Sequence, residues 1–160
     1  LYVAGNDLTK TDSLYGKLKI SSFAKYIKRL ISEYDLEGKV TFTGSLTEQK
    51  MKECFLKSNV FVSPSTIENS PNSLGEAMLL GVPCISSDVG GVKNLLKHEE
   101  EGYVYQMDAP YMLAYYVKKI FAMGKQAETI GAKAKEHATN THNRDQNLEV
   151  LLKIYEDIIK

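Results

Sequence analysis

What the 160-residue sequence lacks narrows its function first: it has no net charge, because 20 Lys and Arg balance 20 Asp and Glu. No Lys/Arg run is long enough to track a phosphate backbone, which excludes nucleic acid as a principal partner. The most basic stretch, Lys17 to Lys28, places its lysines at helical spacing, as on a solvated face. Cysteine is scarce, with two residues. Cys54 lies in a helical pattern and Cys84 in a strand pattern, both among apolar neighbours, which argues for free thiols in a reducing compartment and hence for the cytoplasm. No apolar run approaches the roughly 18 to 20 residues that span a bilayer. No charged leader precedes Leu1-Tyr2-Val3-Ala4-Gly5, which reads as a core strand. A chain that begins mid-strand without a methionine is expected to be a piece of a longer protein.

Several chemical signatures are missing too. His98, His137 and His142 share no metal-ligand spacing with one another or with the cysteines, so no metal is expected. There is no Asp-x-Asp pair to hold a metal-bound diphosphate. Lys10-Thr11-Asp12 lacks the glycine-rich frame of a triphosphate-gripping loop, and Gly90-Gly91 alone is no dinucleotide fingerprint; both read as turns.

What is present is a strand–helix alternation in a chain 43% hydrophobic and 25% charged, enough for one globular domain with a core. Leu1 to Ala4 is followed by a turn at Gly5-Asn6-Asp7. Within Tyr15 to Tyr34, Phe23, Ile27, Leu30, Ile31 and Tyr34 recur at three- and four-residue intervals, and Gly38 closes the element. Lys39 to Thr43 is β-branched and aromatic, stopped by Gly44. Thr47 caps a helix whose Met51, Cys54, Phe55 and Leu56 should face inward. Val60 to Ser63 is a strand, a helix runs from about Pro71 to Gly81, and a strand covers Val82 to Ser86. Gly90-Gly91 leads into Val92 to Leu96, Gly102 to Tyr105 is the last strand, and Pro110 to Phe121, Ala127 to Ala138 and Asn147 to Ile159 are helical by periodicity. The fold class is therefore α/β: a Rossmann-like, doubly wound parallel sheet of about five strands with helices on both faces. Ligands of such sheets sit outside the carboxyl ends of the strands.

Ser63 to Pro71 joins strand to helix through nine residues, longer than the usual two to six. Ser70 reads as the N-cap and Pro71 as the first helical residue, which would leave the N–H groups of Asn72, Ser73 and Leu74 pointing at an anion. Helix-dipole attraction adds about 0.3 to 1 kcal/mol at an exposed site. Gly75 costs roughly 0.5 to 1 kcal/mol inside a helix, which fits a close approach by a ligand or a strand. Glu76 lies on a helix otherwise headed for the core and needs a partner such as a pair of sugar hydroxyls. By spacing alone, Glu68 and Glu76 read equally well as a solvated loop acid and a half-exposed helix residue.

Context carries them further. Glu68 to Glu76, followed by Ala77-Met78-Leu79-Leu80-Gly81-Val82-Pro83-Cys84-Ile85-Ser86-Ser87-Asp88-Val89-Gly90-Gly91, resembles the donor-binding half of the family 4 (group 1) glycosyltransferases of GT-B fold. The likeness extends over roughly the first two thirds of the chain. It implies the carboxy-terminal, donor-binding domain of a retaining, metal-independent enzyme that uses a nucleotide-diphosphate sugar, a uridine diphosphate sugar foremost, and no cofactor. It implies that Glu68 contacts the donor sugar near the reacting carbon and that Glu76 binds the ribose hydroxyls. Backbone N–H groups of Ser73 and Leu74, with Asn72 nearby, would hold the sugar or diphosphate, and Thr43-Gly44-Ser45-Leu46 would line the base. Asn69 and Ser70 replace the glycine and aromatic residue that many members carry, which alters how the sugar is held. The family's first donor-domain strand, the loop with its arginine and lysine, and the acceptor domain have no counterpart in this sequence. The acceptor (glycan, lipid or other small molecule) and any peripheral attachment to the inner membrane face would belong to that missing domain, and the present chain alone should turn over little. The alternatives are a non-catalytic nucleotide-binding or interaction module and a GT-B epimerase. Tyr103, Tyr105, Tyr111, Tyr115 and Tyr116 read as core and rim rather than as sugar-stacking rings, and Lys97-His98-Glu99-Glu100-Glu101 as a solvated loop.

Overall fold

The computed structural model describes residues 1–5 and 21–159. The expected turn at Asn6-Asp7, Lys10-Thr11-Asp12, the start of the helix read from Tyr15 and the start of the basic stretch at Lys17 lie outside the described residues. The chain forms two compact units, Leu1–Met51 and Lys52–Lys160.

In the first unit β1 (Tyr2–Ala4) pairs in parallel with β2 (Thr41–Gly44), with the register shifting between Val3 and Ala4. Helix α1 (Ser22–Glu33) starts where Ser21 Oγ accepts the Ala24 N–H at 3.1 Å, satisfying one of the donors a helix start leaves open. Its inward face is narrower than the periodicity predicts. Ala24 is buried and Ile27, Leu30 and Ile31 are half-buried, whereas Phe23 and Tyr34 are exposed. Helix α2 (Glu48–Leu56), which begins in the first unit and ends in the second, comes after Thr47, whose hydroxyl accepts the Lys50 N–H at 3.5 Å. Phe55 is its buried residue; Leu56, expected inside, is exposed.

The second unit holds three parallel strands in the order β3-β4-β5: β3 (Phe61–Ser63), β4 (Cys84–Ser87) and β5 (Gly102–Tyr105). Every residue of β4 and β5 is buried, as required of parallel strands covered on both faces. Ile85, Tyr103 and Tyr105 share a core with Tyr116 and Ile120 of α5 (Pro110–Met123) and Ala127 and Ile130 of α6 (Gln126–Thr141). Helix α3 (Asn72–Leu79) packs on β3, β4 and α6. A side chain at Gly131 of α6 would collide with the Gly81 carbonyl, so the closeness of this crossing depends on glycine.

The expected strands are all found, and all pairings between them are parallel; hydrogen bonds join them as a pair and a triplet among the described residues. β4 begins two residues later than its apolar run. The Val82 N–H donates to Ala77 O at 3.0 Å, closing α3 around Gly81 (φ +73°), and Pro83 has no N–H to give a ladder. Helix α4 (Val92–Leu95) is short, and α7 (Arg144–Ile159) buries no residue, leaving Leu148, Leu151, Leu152, Tyr155, Ile158 and Ile159 exposed along one face. Among the described residues no helix is long and apolar enough to cross a membrane.

Candidate functional site

The loop from β3 to α3 is held at both ends by β4 and the turn after it. Buried Ser87 donates its hydroxyl to Ser65 O at 2.6 Å, and Ser86 reaches Ser63 O at 3.5 Å, so side chains continue the bonding where the strand ladder ends. Further along, the Gly91 N–H donates to Asn69 O at 2.7 Å. Gly90 (φ +52°) leaves empty the space that a side chain would take from the Glu68 carbonyl, and a Cβ at Gly91 would stand 2.9 Å from Asn69 O. The Gly-Gly turn thus clamps the backbone that carries Glu68. Asp88 is committed locally, its N–H to Tyr105 O at 2.7 Å and its carboxylate to Lys93 Nζ at 2.6 Å.

Helix α3 starts one residue later than its Ser-Pro sequence predicts. Pro71, in extended backbone (ψ 105°), occupies the cap position and no side chain caps the helix. The Leu74 N–H donates to Pro71 O at 3.0 Å, and the Leu74 side chain is fully buried. Leu74 is therefore taken up by the helix and the core, and its N–H is not an outward donor. Asn72 and Ser73 lie ahead of the first helical bond, so their N–H groups have no intrahelical acceptor. Asn69, Ser70 and Asn72 are exposed, Ser73 is half-buried, and all adjoin the clamped segment.

Glu68 is half-buried and Glu76 exposed. Neither carboxylate has a hydrogen-bond or ion-pair partner among the described residues. Glu76 is not a charge pressed toward the core, because 72, 76 and 79 share the outer face of α3 while 74, 75, 77 and 78 turn inward. Gly75 does make room for a neighbour, but that neighbour is neither strand nor ligand: a Cβ there would lie 2.6 Å from Nε2 of His142. Ser70, Pro71, Asn72, Glu76, Leu79, Leu95 and His142 line one recess of about 260 Å³. His142 has no motif around it, and the helical Gly75 is its sole trace in the sequence.

In the other unit, Thr43 Oγ1 donates to Gly44 O (3.1 Å) and Val3 O (3.4 Å), Gly44 takes a positive φ of 70°, Ser45 is exposed and Leu46 half-buried. These residues form the carboxyl end of β2 and the start of its loop.

Lys97, His98, Glu99 and Glu100 are exposed, as a solvated loop requires, but Glu101 departs from that reading. Glu101 is buried, accepts the Lys97 N–H at 3.0 Å, and meets Nδ1 of His137 at 2.7 Å. His98 Nδ1 accepts the Val104 N–H at 3.0 Å, and its ring lies edge-on to Tyr103 and Tyr116. Tyr103 stacks on Tyr116 at 4.6 Å, placing both in the core, whereas Tyr111 and Tyr115 are exposed. Both cysteines are free; Cys54 is half-buried, and burial pushes the Cys84 thiol pKa up to about 12.

Residues 7–137 match the family described as glycosyl transferases group 1. An uncharacterized glycosyltransferase of Methanocaldococcus jannaschii is 26% identical over 130 residues, 81% of this chain and 33% of that protein. The N-acetyl-alpha-D-glucosaminyl L-malate synthase of Bacillus anthracis is 24% identical over 134 residues, 84% of this chain and 35% of that protein. Among solved structures, sucrose-phosphate synthase from Thermosynechococcus elongatus matches with a TM-score of 0.79 and 26% identity, over 99% of this chain and 38% of that one. The Anabaena protein HepE in complex with UDP matches in fold with a TM-score of 0.74 at 22% identity, over 95% of this chain and 40% of that one. The chain thus spans about a third of the length of the curated relatives it matches.

Proposed function

The chain belongs to the glycosyl transferases of group 1, and from that premise we propose that it is the carboxy-terminal, donor-binding domain of a longer, retaining, metal-independent glycosyltransferase. The donor is a nucleotide-diphosphate sugar, with uridine as the favoured base; UDP in the HepE complex supports that choice. One observation carries the reading: two carboxylates without protein partners among the described residues flank the open N–H groups of Asn72 and Ser73, outside the carboxyl end of β3. Acceptors for hydroxyl groups and donors for an anion thereby adjoin, which is the pairing a sugar diphosphate requires.

In this reading Glu76, out on the helix face, accepts hydrogen bonds from the two ribose hydroxyls. Glu68, held by the Gly90-Gly91 clamp, faces the donor sugar near its reacting carbon, and Asn69 and Ser70 set how that sugar is held. The Asn72 and Ser73 N–H groups receive the diphosphate. Cations that neutralise the leaving diphosphate supply a major electrostatic share of such a reaction. The free thiols support a cytoplasmic site of action.

The test is calorimetric titration of UDP, GDP and ADP into the full-length protein, wild type against Glu76→Ala and Glu68→Ala. Glu76→Ala should weaken nucleotide binding, while Glu68→Ala should lower turnover more than affinity. An unchanged affinity in Glu76→Ala overturns the donor-site assignment.

A further inference from the structure

The recess over α3 has a wall formed by a residue that the glutamate motif does not include. Asn72, Glu76 and Leu79 are spaced four and three residues apart and so line one face of the helix. Beside that face Gly75 has no side chain, and the imidazole of His142 occupies the space, its Nε2 2.6 Å from where a Cβ would stand. The backbone beneath the imidazole is fixed from both sides. The His142 N–H closes α6 by donating to Ala138 O at 2.9 Å. Immediately after it, Asn143 Oδ1 accepts the N–H groups of Asp145 and Gln146 at 3.1 Å each, capping α7, and Asn147 Nδ2 donates to Thr141 O at 3.0 Å.

The ring itself has no hydrogen-bond or ion-pair partner among the described residues. An imidazole offers one donor and one acceptor when neutral and two donors when charged. In the recess it joins Ser70, Asn72 and Glu76 as polar groups over the apolar Leu79 and Leu95. A few convergent polar groups on an apolar floor are the usual make-up of a small-molecule site. The exposed imidazole lines the same recess as the exposed Glu76 carboxylate, and both are open to a ligand there.

From this arrangement we infer that His142 is a further donor-recognition residue, hydrogen-bonding the nucleoside diphosphate where it passes Glu76, and that Gly75 is glycine so that the imidazole can reach it. The inference rests on the donor-site reading above and adds a contact contributed by the α6–α7 corner. Its consequence is a coupling: Gly75 and His142 act on nucleotide affinity as one unit.

The experiment titrates UDP into the full-length protein by calorimetry for wild type, Glu76→Ala, His142→Ala, His142→Gln, His142→Phe, Gly75→Ala and the Gly75→Ala/His142→Ala double variant. Losing one hydrogen bond weakens binding by about fivefold in His142→Ala. His142→Gln, which keeps a donor and an acceptor, should recover part of that loss, and His142→Phe, which keeps only the ring, should not. Gly75→Ala should weaken binding by pushing the ring away, and the double variant should bind no more weakly than His142→Ala. Imidazole carbon–hydrogen resonances of the wild-type protein should shift during the UDP titration, a readout that needs no variant to fold. Weakened binding in Glu76→Ala with unchanged affinity in His142→Ala and unshifted resonances overturns the His142 inference and leaves the donor site standing. Unchanged affinity in both single variants overturns the donor-site reading beneath it.

Discussion

The backbone carbonyl of Asn69 accepts the N–H of Gly91 at 2.7 Å, joining the loop after β3 to the turn after β4. Through this bond a residue far from Glu68 in sequence sets where Glu68 stands. The glycines of Asp88-Val89-Gly90-Gly91 thus fix the Glu68 backbone by geometry.

Gly90→Ala should therefore be costly in two ways. Alanine in left-handed backbone costs about 1 to 2 kcal/mol, and its methyl would meet the Glu68 carbonyl, forcing that loop to move. The expected outcome is a lower urea midpoint together with reduced turnover in the full-length protein. A variant of wild-type stability and activity would contradict the clamp.

Glu76→Ala should leave folding stability within about 0.5 kcal/mol of wild type, since the side chain is exposed and has no partner among the described residues to lose. Nucleotide affinity should nevertheless fall by roughly 10-fold or more, the scale of hydrogen bonds to a charged group. Chemical denaturation and calorimetry on the same preparation separate the two effects.

His137→Ala should destabilise the second unit by about 1 to 3 kcal/mol, because it leaves the buried Glu101 carboxylate without its 2.7 Å partner. Glu101→Gln should cost less, since an amide can still accept the Lys97 N–H. The comparison of unfolding midpoints checks both; equal midpoints for wild type and His137→Ala would show the contact to be idle.

Cys84 makes stability fall at high pH. Its folded pKa is raised from 9.0 to about 12 by burial. Below pH 9 both states keep the proton and the thiol makes stability no more pH-dependent. Between pH 9 and about 12 the unfolded chain releases the proton and the folded chain retains it, so stability drops as pH rises through that window. Cys84→Ala should flatten this part of the profile, and native protein should alkylate at Cys54 well before Cys84.

Legibility differs between elements for physical reasons. Strands and helices are readable because apolar period is local: Gly102 to Tyr105 is a strand as its pattern says, and Thr47 caps α2 as predicted. Boundaries slip where one backbone bond decides them, as where Val82 turns its N–H back to Ala77 and shortens β4. Lys97 to Glu101 reads as a solvated loop because charge normally means solvent, yet His137, 36 residues away, and the Lys97 N–H give Glu101 a reason to be buried. Ser70 has the chemistry of a cap, but Pro71 keeps an extended backbone, which moves the first helical acceptor to its own carbonyl.

The sequence by itself determined the α/β class, the position of the long loop after β3 and the glutamates that mark it, because period, turn chemistry and a motif are properties of neighbouring residues. Tertiary structure alone decided that Gly90 and Gly91 clamp the Glu68 backbone, that Leu74 turns to the core while Asn72 and Ser73 stay open, and that His142 stands against Gly75. Those are contacts between segments distant along the chain, fixed by how strands and helices pack, and a linear pattern carries no record of them beyond a glycine where the packing needs room.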